Sequence, residues 1–169
     1  VLGITLQSEL TFTNVLETID LAGINIEAKL RKDSDPIVMA GGPCASNPLP
    51  LLPFIDVFFI GEAEEAIVEI TQVLNNFHTR EERLQQLAQI SSCYVPSIHG
   101  DEPHTAIPAR KYMNFHLSEN KHEPQLLSWQ LATHNRYVSE IMRGCSRGCR
   151  FCHAGYYYRP VRERNPEDI

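Results

Sequence analysis

Residues 56–77 read DVFFIGEAEEAIVEITQVLNNF, and this stretch decides the fold class. Asp56–Ile60 is apolar on both faces after its first residue, which predicts a buried strand that ends at Gly61. The next residues predict a helix over 62–77, with its acidic first turn (Glu62, Glu64, Glu65) favoured by the helix dipole. The apolar positions of this helix are Ala63, Ala66, Ile67, Ile70, Val73, Leu74 and Phe77. A buried strand followed by an amphipathic helix is the unit of a parallel α/β sheet.

Two further strands are predicted before this unit. Residues 1–6 and 36–40 are short apolar runs that predict buried strands. Between them, Phe12, Val15, Leu16 and Ile19 have helical spacing, and Gly23 is a predicted C-terminal cap. No GxGxxG follows any strand, so the nicotinamide and flavin fingerprint is absent. We expect ligands at the loops that follow the strands.

The remaining elements are less regular. Thr79 to Glu82 form a predicted capping box for a short helix through Leu84, Leu87 and Ile90. Residues 93 to about 123 lack periodicity and predict an extended linker without a core of its own, and its histidines are interpreted as solvated (His99, His104, His116, His122). Residues 137–142 predict a strand, and Asn165-Pro166 a helix start. The predicted domains are therefore 1–92, a linker over 93–134, and 135–169.

Composition excludes several classes of protein. The chain has 169 residues, is 43% hydrophobic and has a net charge of −6, which excludes collagen, disordered tails and histone-like binders. It has no run of 18 apolar residues, so we expect no membrane span. It also has no visible secretory leader and an odd number of cysteines, five, which favours a reducing cytoplasm. The missing initiator Met predicts a piece of a longer protein.

Charge is unevenly distributed. Residues 1–135 contain 8 basic and 17 acidic side chains, whereas residues 136–164 contain seven arginines and two glutamates. One interpretation of the arginines is a solvated face. The other is an anion site, because the planar guanidinium matches carboxylate and phosphate.

Three cysteines carry the chemistry. Cys145, Cys149 and Cys152 have the spacing C-x3-C-x2-C directly after the predicted strand, and Gly144 and Gly148 allow the loop to curl. Three thiolates on a 4Fe–4S cube leave one iron without a protein ligand. The alternatives are a zinc site completed by His153, a covalent haem on Cys149-Arg150-Phe151-Cys152-His153, or incidental thiols. Cys44 and Cys93 are interpreted as ordinary small apolar residues.

The cysteine motif, with Phe151 before its last cysteine, resembles the radical S-adenosylmethionine (radical SAM) enzymes. The resemblance implies a 4Fe–4S cluster on Cys145, Cys149 and Cys152, with S-adenosylmethionine on the open iron and Phe151 near its adenine. One electron from the cluster would then generate a 5′-deoxyadenosyl radical. It also implies an external electron donor and a substrate that the sequence does not identify.

The likeness extends to a bacterial subgroup with a cobalamin-binding-like domain before the barrel. It rests on residues 140–145 and 158–164, on Ala40-Gly41-Gly42-Pro43-Cys44 and on Asn47-Pro48. Ser8-Glu9-Leu10 and Gly41-Gly42 match two of the three cobalamin marks, so Ser8, Gly41 and Gly42 are candidate cofactor contacts. The third mark, the D-x-H-x-x-G loop, would lie before Val1. The resemblance thus implies a partial Rossmann-like sheet, a linker and the first strand and cluster loop of a radical SAM barrel, with cobalamin binding left open.

A second function hypothesis belongs to another class. The chain could be a zinc- or cluster-stabilised binding module without chemistry that contacts RNA through its arginines and the aromatic residues among them. Against RNA, the acidic body would repel a phosphate backbone. We therefore interpret the arginines first as a counter-charge for an anionic cluster and its cofactor, which also orders the loop.

Overall fold

The computed structural model describes residues 1–101, 107–117, 129–130 and 136–169. These residues form two compact units, Val1–Tyr112 and Met113–Ile169. The predictions for the middle of the linker, including His104 and His122, lie outside the described residues, as does the side chain of His116.

The first unit contains a four-stranded sheet in the order β1-β2-β3-β4. Its strands are β1 (Leu2–Thr5), β2 (Val38–Gly41), β3 (Val57–Phe59) and β4 (Cys93–Tyr94). The first three pair in parallel, with Ala40 between Ile4 and Phe58, whereas β4 pairs antiparallel with β3. The predicted α/β class with a parallel-strand sheet is confirmed. Its Rossmann-like and barrel assignments stay predictions.

The first unit also contains α-helices. They are α1 (Phe12–Leu21), α2 (Ala66–Asn76), α3 (Arg80–Leu87) and α4 (Pro96–His99). Short 3-10 turns lie at Glu9–Thr11, Ala28–Leu30, Pro43–Ser46 and Leu49–Leu51. The predicted cap of α1 is confirmed, because the Gly23 and Ile24 N–H groups donate to the carbonyls of Asp20 and Ile19. The capping box of α3 is also confirmed, with Thr79 and Glu82 bonded reciprocally.

Both faces of the sheet are covered by apolar residues. Val15 and Ile19 of α1 share one core cluster with Phe58. Ile70 of α2 and Leu87 of α3 share the other with Val57 and Phe59. Successive residues of β3 therefore enter opposite cores, as expected for a strand that is buried on both faces.

A buried ion cluster holds the amino ends of β2 and β3. The Asp56 carboxylate accepts hydrogen bonds from Arg31 Nη1 at 2.9 Å and from the Val38 backbone N–H at 2.8 Å, and it pairs with Arg80. Arg31 also donates to the backbone carbonyls of residues 25, 26 and 54. Because all three charged side chains are almost fully buried, their pairing is what makes the burial of Asp56 tolerable.

The start of α2 differs from the prediction. The helix begins at Ala66 rather than at residue 62. Residues 107–112 run along the end of β3, where the Glu62 N–H donates to the Arg110 carbonyl and the Tyr112 N–H donates to the Glu62 carboxylate. Arg110 also pairs with Glu65 and Glu69 at 3.2 and 2.8 Å. These long-range contacts hold residue 62 outside the helix.

The beginning of the predicted linker lies in the first unit of the structure. Cys93, Tyr94 and Val95 are buried in the cores of the first unit, and the chain divides after Tyr112 rather than after residue 92. His99 is not simply solvated, because its Nδ1 accepts from the Val95 N–H at 2.9 Å and its ring stacks on Tyr94. A two-residue strand is too short to give a periodic pattern, so the sequence did not reveal it.

The second unit is built around a small antiparallel ladder. Its elements are β5 (Met142–Arg143), α5 (Ala154–Tyr157) and β6 (Arg162–Glu163), with Arg143 opposite Arg162. Met113–Leu117 forms a short kinked helical segment, and Pro166–Asp168 forms a 3-10 turn at the predicted helix start. The predicted strand over 137–142 is wrong except at Met142, and Tyr137 and Val138 are exposed.

Phe115 is the centre of this second unit. Its ring is 1% exposed and lies between the guanidinium groups of Arg143 and Arg164, which are 4.9 and 5.1 Å from its centroid. Such stacking combines burial of the ring with cation–π attraction. Phe115 therefore ties the middle of the chain to the residues that flank the cysteines.

Within the described ranges, none of the helices has both the length and the hydropathy that crossing a membrane requires.

Candidate metal centre

The three motif cysteines lie in one loop between β5 and α5. Cys145 and Cys152 are half-buried, whereas Cys149 is exposed, and all three are free thiols. The loop leaves β5 through Gly144 and reaches α5 through His153, so ten residues separate the two elements. The structure thus places all three predicted ligands in one surface loop.

Backbone groups shape this loop. The Arg147 N–H points at Cys145 Sγ, with 3.4 Å between nitrogen and sulfur, and the Cys152 N–H donates to the Cys149 carbonyl at 3.1 Å. The second bond closes a turn around the last two cysteines. Gly155 packs beside Cys152: a β-carbon at residue 155 would be in ordinary contact with Cys152 Sγ, at 3.8 Å. These contacts favour a compact loop.

The donor set fits an iron–sulfur cluster by its chemistry. Three thiols are the ligands that such clusters take, and Cys149 is exposed to an incoming metal. Within the part of the chain that the structure describes, no three Cys, His, Asp or Glu side chains converge closely enough to hold a metal ion. His153, at the end of the loop, contacts Tyr157 with 5.5 Å between ring centroids.

Aromatic and cationic side chains surround the loop. Phe151 is 92% exposed, which leaves its ring open to a planar ligand. The Arg159 guanidinium lies 4.7 Å from the Tyr156 ring centroid and donates to the Arg147 carbonyl. Arg143 instead binds Glu140 through two nitrogen–oxygen contacts of 2.8 and 3.0 Å. Hence Arg143 is already neutralised, and the counter-charge for an anion falls to the other arginines.

Gly144 fixes the point where the loop begins. Its φ is +89°, and a β-carbon would lie 2.6 Å from the Pro160 carbonyl oxygen and 2.7 Å from that of Tyr158. Only glycine fits this combination of left-handed backbone and close approach. Gly148, by contrast, has no atom within 4 Å of a β-carbon position and no positive φ. The expectation that both glycines are needed for backbone geometry is thus supported at Gly144 alone.

The two remaining cysteines have a different character. Cys44 and Cys93 are buried in the first unit. Burial raises the pKa of the Cys93 thiol to about 12, and it also raises the pKa of Cys44, with the Glu9 carboxylate adding to the effect. Neutral, buried thiols are poor metal ligands, in agreement with their interpretation as small apolar residues.

The candidate cobalamin contacts meet at the carboxyl edge of β1 and β2. The Leu6 N–H donates to the Gly41 carbonyl, and the Ser8 side chain accepts from the Leu10 N–H as the cap of a 3-10 turn. Gly42 has a φ of +102°, and a β-carbon there would lie 2.8 Å from the Leu6 carbonyl oxygen. Both Gly42 and Ser8 therefore have local structural roles.

Sequence reasoning missed Phe115, and it predicted Arg162 only as one of several arginines that offset anionic charge and order the loop. Both are nearly fully buried, and both act through contacts with residues distant in sequence or through backbone carbonyls. The available signal in the sequence was the presence of Arg162 ten residues after Cys152. Its position opposite Arg143 is known only from the structure.

The family described as radical SAM proteins, N-terminal, matches residues 1–96. Over 168 residues, the chain is also 29% identical to the uncharacterized protein MJ0966 of Methanocaldococcus jannaschii, a match that covers 98% of this chain and 32% of that protein. The chain thus spans about a third of the length of this relative. No solved structure gives a significant match. Because the family match covers more than half of the chain, the chain belongs to the radical SAM proteins.

Proposed function

We propose that Cys145, Cys149 and Cys152 bind a 4Fe–4S cluster, and that the whole protein is a radical SAM enzyme. The observation that carries this proposal is the loop itself. It holds three free cysteines, one of them exposed, within eight residues of a chain that belongs to the radical SAM proteins. A reducing, cytoplasmic location goes with this proposal, because exposed neighbouring thiols would otherwise oxidise.

The proposed cofactors are the cluster and S-adenosylmethionine. When bound, the cluster supplies one electron that cleaves a C–S bond of S-adenosylmethionine and yields a 5′-deoxyadenosyl radical. The substrate that loses a hydrogen atom, and the external electron donor, lie outside what this chain identifies. Cobalamin is not included, because the close approach to Leu6 accounts for Gly42 and the 3-10 cap accounts for Ser8.

The chain's own residues prepare the loop for an anionic group. The Arg147 N–H already points at Cys145 Sγ, and such an N–H stabilises negative charge on sulfur. Arg147 and Arg150 are exposed beside the thiols, where they offset negative charge. The exposed Phe151 ring offers a flat apolar surface for the adenine of the cofactor.

Anaerobic reconstitution of the full-length protein with iron and sulfide tests the proposal. We expect four irons per chain, broad visible absorbance, and an electron paramagnetic resonance (EPR) signal after reduction that changes when S-adenosylmethionine is added. Replacing Cys145, Cys149 or Cys152 with Ala should abolish the cluster, because two thiolates hold it poorly.

Matched variants in the first unit provide the control. Cys44→Ala and Cys93→Ala should keep the full iron content, since both thiols are buried away from metal. Stoichiometric zinc without colour in the wild-type protein would instead favour the binding-module hypothesis. Loss of iron in the Cys44→Ala variant would show that the three-ligand assignment is wrong.

A further inference from the structure

Two carbonyl groups flank the backbone immediately before the first cluster cysteine. They belong to Tyr158 and Pro160, and both face Gly144 at the distances given above. The chain that returns from the cysteine loop is thus pressed against the chain that enters it. Any shift of residues 158–160 would move the backbone that carries Cys145.

Arg162 holds these same two carbonyls. Its Nε donates to the Pro160 oxygen and its Nη2 to the Tyr158 oxygen, each at 3.1 Å. The side chain is nearly fully buried, since Arg162 is 7% exposed. A buried guanidinium needs such acceptors, because leaving its donors unpaired is costly. The two bonds therefore fix the return segment.

The geometry requires arginine in particular. The planar guanidinium presents several N–H groups in a rigid fork, so one side chain can hold two acceptors at a set spacing. Pairing of β5 with β6 places Arg162 opposite Arg143, next to Gly144. The fork, the two carbonyls and Gly144 thus form one unit at the base of the cysteine loop.

We propose that Arg162 is a positioning residue for the cluster: it sets where Cys145 lies relative to the other two cysteines. The inference rests on the proposed function. Arg162 acts through the Tyr158 and Pro160 carbonyls and, by way of these, through Gly144.

The test compares wild type, Arg162→Met and Arg162→Lys in the reconstituted full-length protein. We expect a chelator to remove iron from Arg162→Met about tenfold faster than from wild type, a factor that corresponds to about 1.4 kcal/mol. Arg162→Lys keeps the charge but not the fork. It should therefore assemble the cluster, lose iron at an intermediate rate and show an altered EPR spectrum, which a purely structural role would not produce.

The matched control is Arg83→Met. Arg83 also donates to a backbone carbonyl, that of Phe77, but in the first unit, so its loss should leave the rate of iron removal unchanged. Wild-type rates and spectra in both Arg162 variants would overturn the inference, as would equal acceleration in Arg83→Met. Failure of the wild-type protein to assemble a cluster would instead contradict the proposed function.

Discussion

Burial divides the five cysteines into two chemical classes. Cys149 is exposed and Cys93 is buried, with a pKa raised to about 12. In a labelling experiment at mildly alkaline pH, we expect a thiol reagent to modify Cys149 at once and Cys93 only after unfolding. Mass spectrometry of the labelled peptides measures both. Rapid labelling of Cys93 in the folded protein would contradict its placement in the core.

The same shift predicts a pH dependence of stability. The pKa of Cys93 is raised by burial from 9.0 to about 12, so its neutral thiol supports folding fully below pH 9. Stability should fall as pH rises from 9 toward 12, because the unfolded chain loses this proton first. Urea unfolding across this range should show a shallower decline for Cys93→Ala than for wild type.

The two glycines of the cysteine loop, Gly144 and Gly148, allow a matched comparison of alanine substitutions. Gly144→Ala should cost at least about 1–2 kcal/mol, because it combines a left-handed φ with a β-carbon pressed against two carbonyls. Iron content after reconstitution should fall with it. Gly148→Ala is the control, since open space surrounds that position. Equal iron content in the two variants would contradict the close contact at Gly144.

At the scale of elements, the capping box of α3 provides a local test. Thr79→Ala should destabilise the protein by about 1 kcal/mol, whereas Thr79→Ser should be nearly neutral because the hydroxyl is kept. Hydrogen bonds from Thr79 hold the pKa of Glu82 below its usual value. The contribution of Glu82 is therefore present above its ordinary pKa and lost as pH falls. Thermal unfolding in acid should show a smaller pH effect in Thr79→Ala.

Elements whose causes are local could be predicted from the sequence. The parallel strands, the cap of α1 and the capping box of α3 follow from neighbouring residues. The start of α2 could not, because residues 107–112 hold Glu62 outside the helix from far along the chain. Nor could the short β5, since its length is set by its pairing with β6.

The candidate site also has parts that the sequence predicts and parts that it does not. The three cysteines were predicted by their spacing, and their ligand role stays a prediction. The surrounding arginines were predicted as counter-charges that order the loop, but the contacts of Arg162 were not, because its fork donates to two backbone carbonyls. Carbonyl acceptors exist at every residue, so a sequence gives no indication of which of them an arginine will reach.

At the scale of the whole molecule, the distribution of charge bears on whether the exposed arginines face a cofactor or a nucleic acid. Arg162 is buried and Arg164 stacks on Phe115, so an RNA contact at the cysteine loop would fall to the exposed Arg147, Arg150 and Arg159. With a net charge of −6 over the chain, we expect no tight binding of transfer RNA to the cluster-loaded protein at physiological salt. A salt series measures this.

Binding of RNA through these arginines would have a characteristic salt dependence. Three phosphate contacts would give a slope of about −2 to −3 in a plot of log affinity against log salt. Tight binding with such a slope, lost when Arg147, Arg150 and Arg159 become Ala while iron content persists, would favour the RNA-binding hypothesis.

The ion cluster around Asp56 also limits how this protein can change over evolution. One carboxylate lies between Arg31 and Arg80, so losing Asp56 strands two buried guanidinium groups and losing both arginines strands the carboxylate, at a cost of about 3–5 kcal/mol. Replacing all three with apolar residues of similar volume can be nearly neutral. Intermediates on a stepwise path would be far less stable than either end. In relatives that keep this sheet, we therefore expect the three positions to be retained or exchanged as a set.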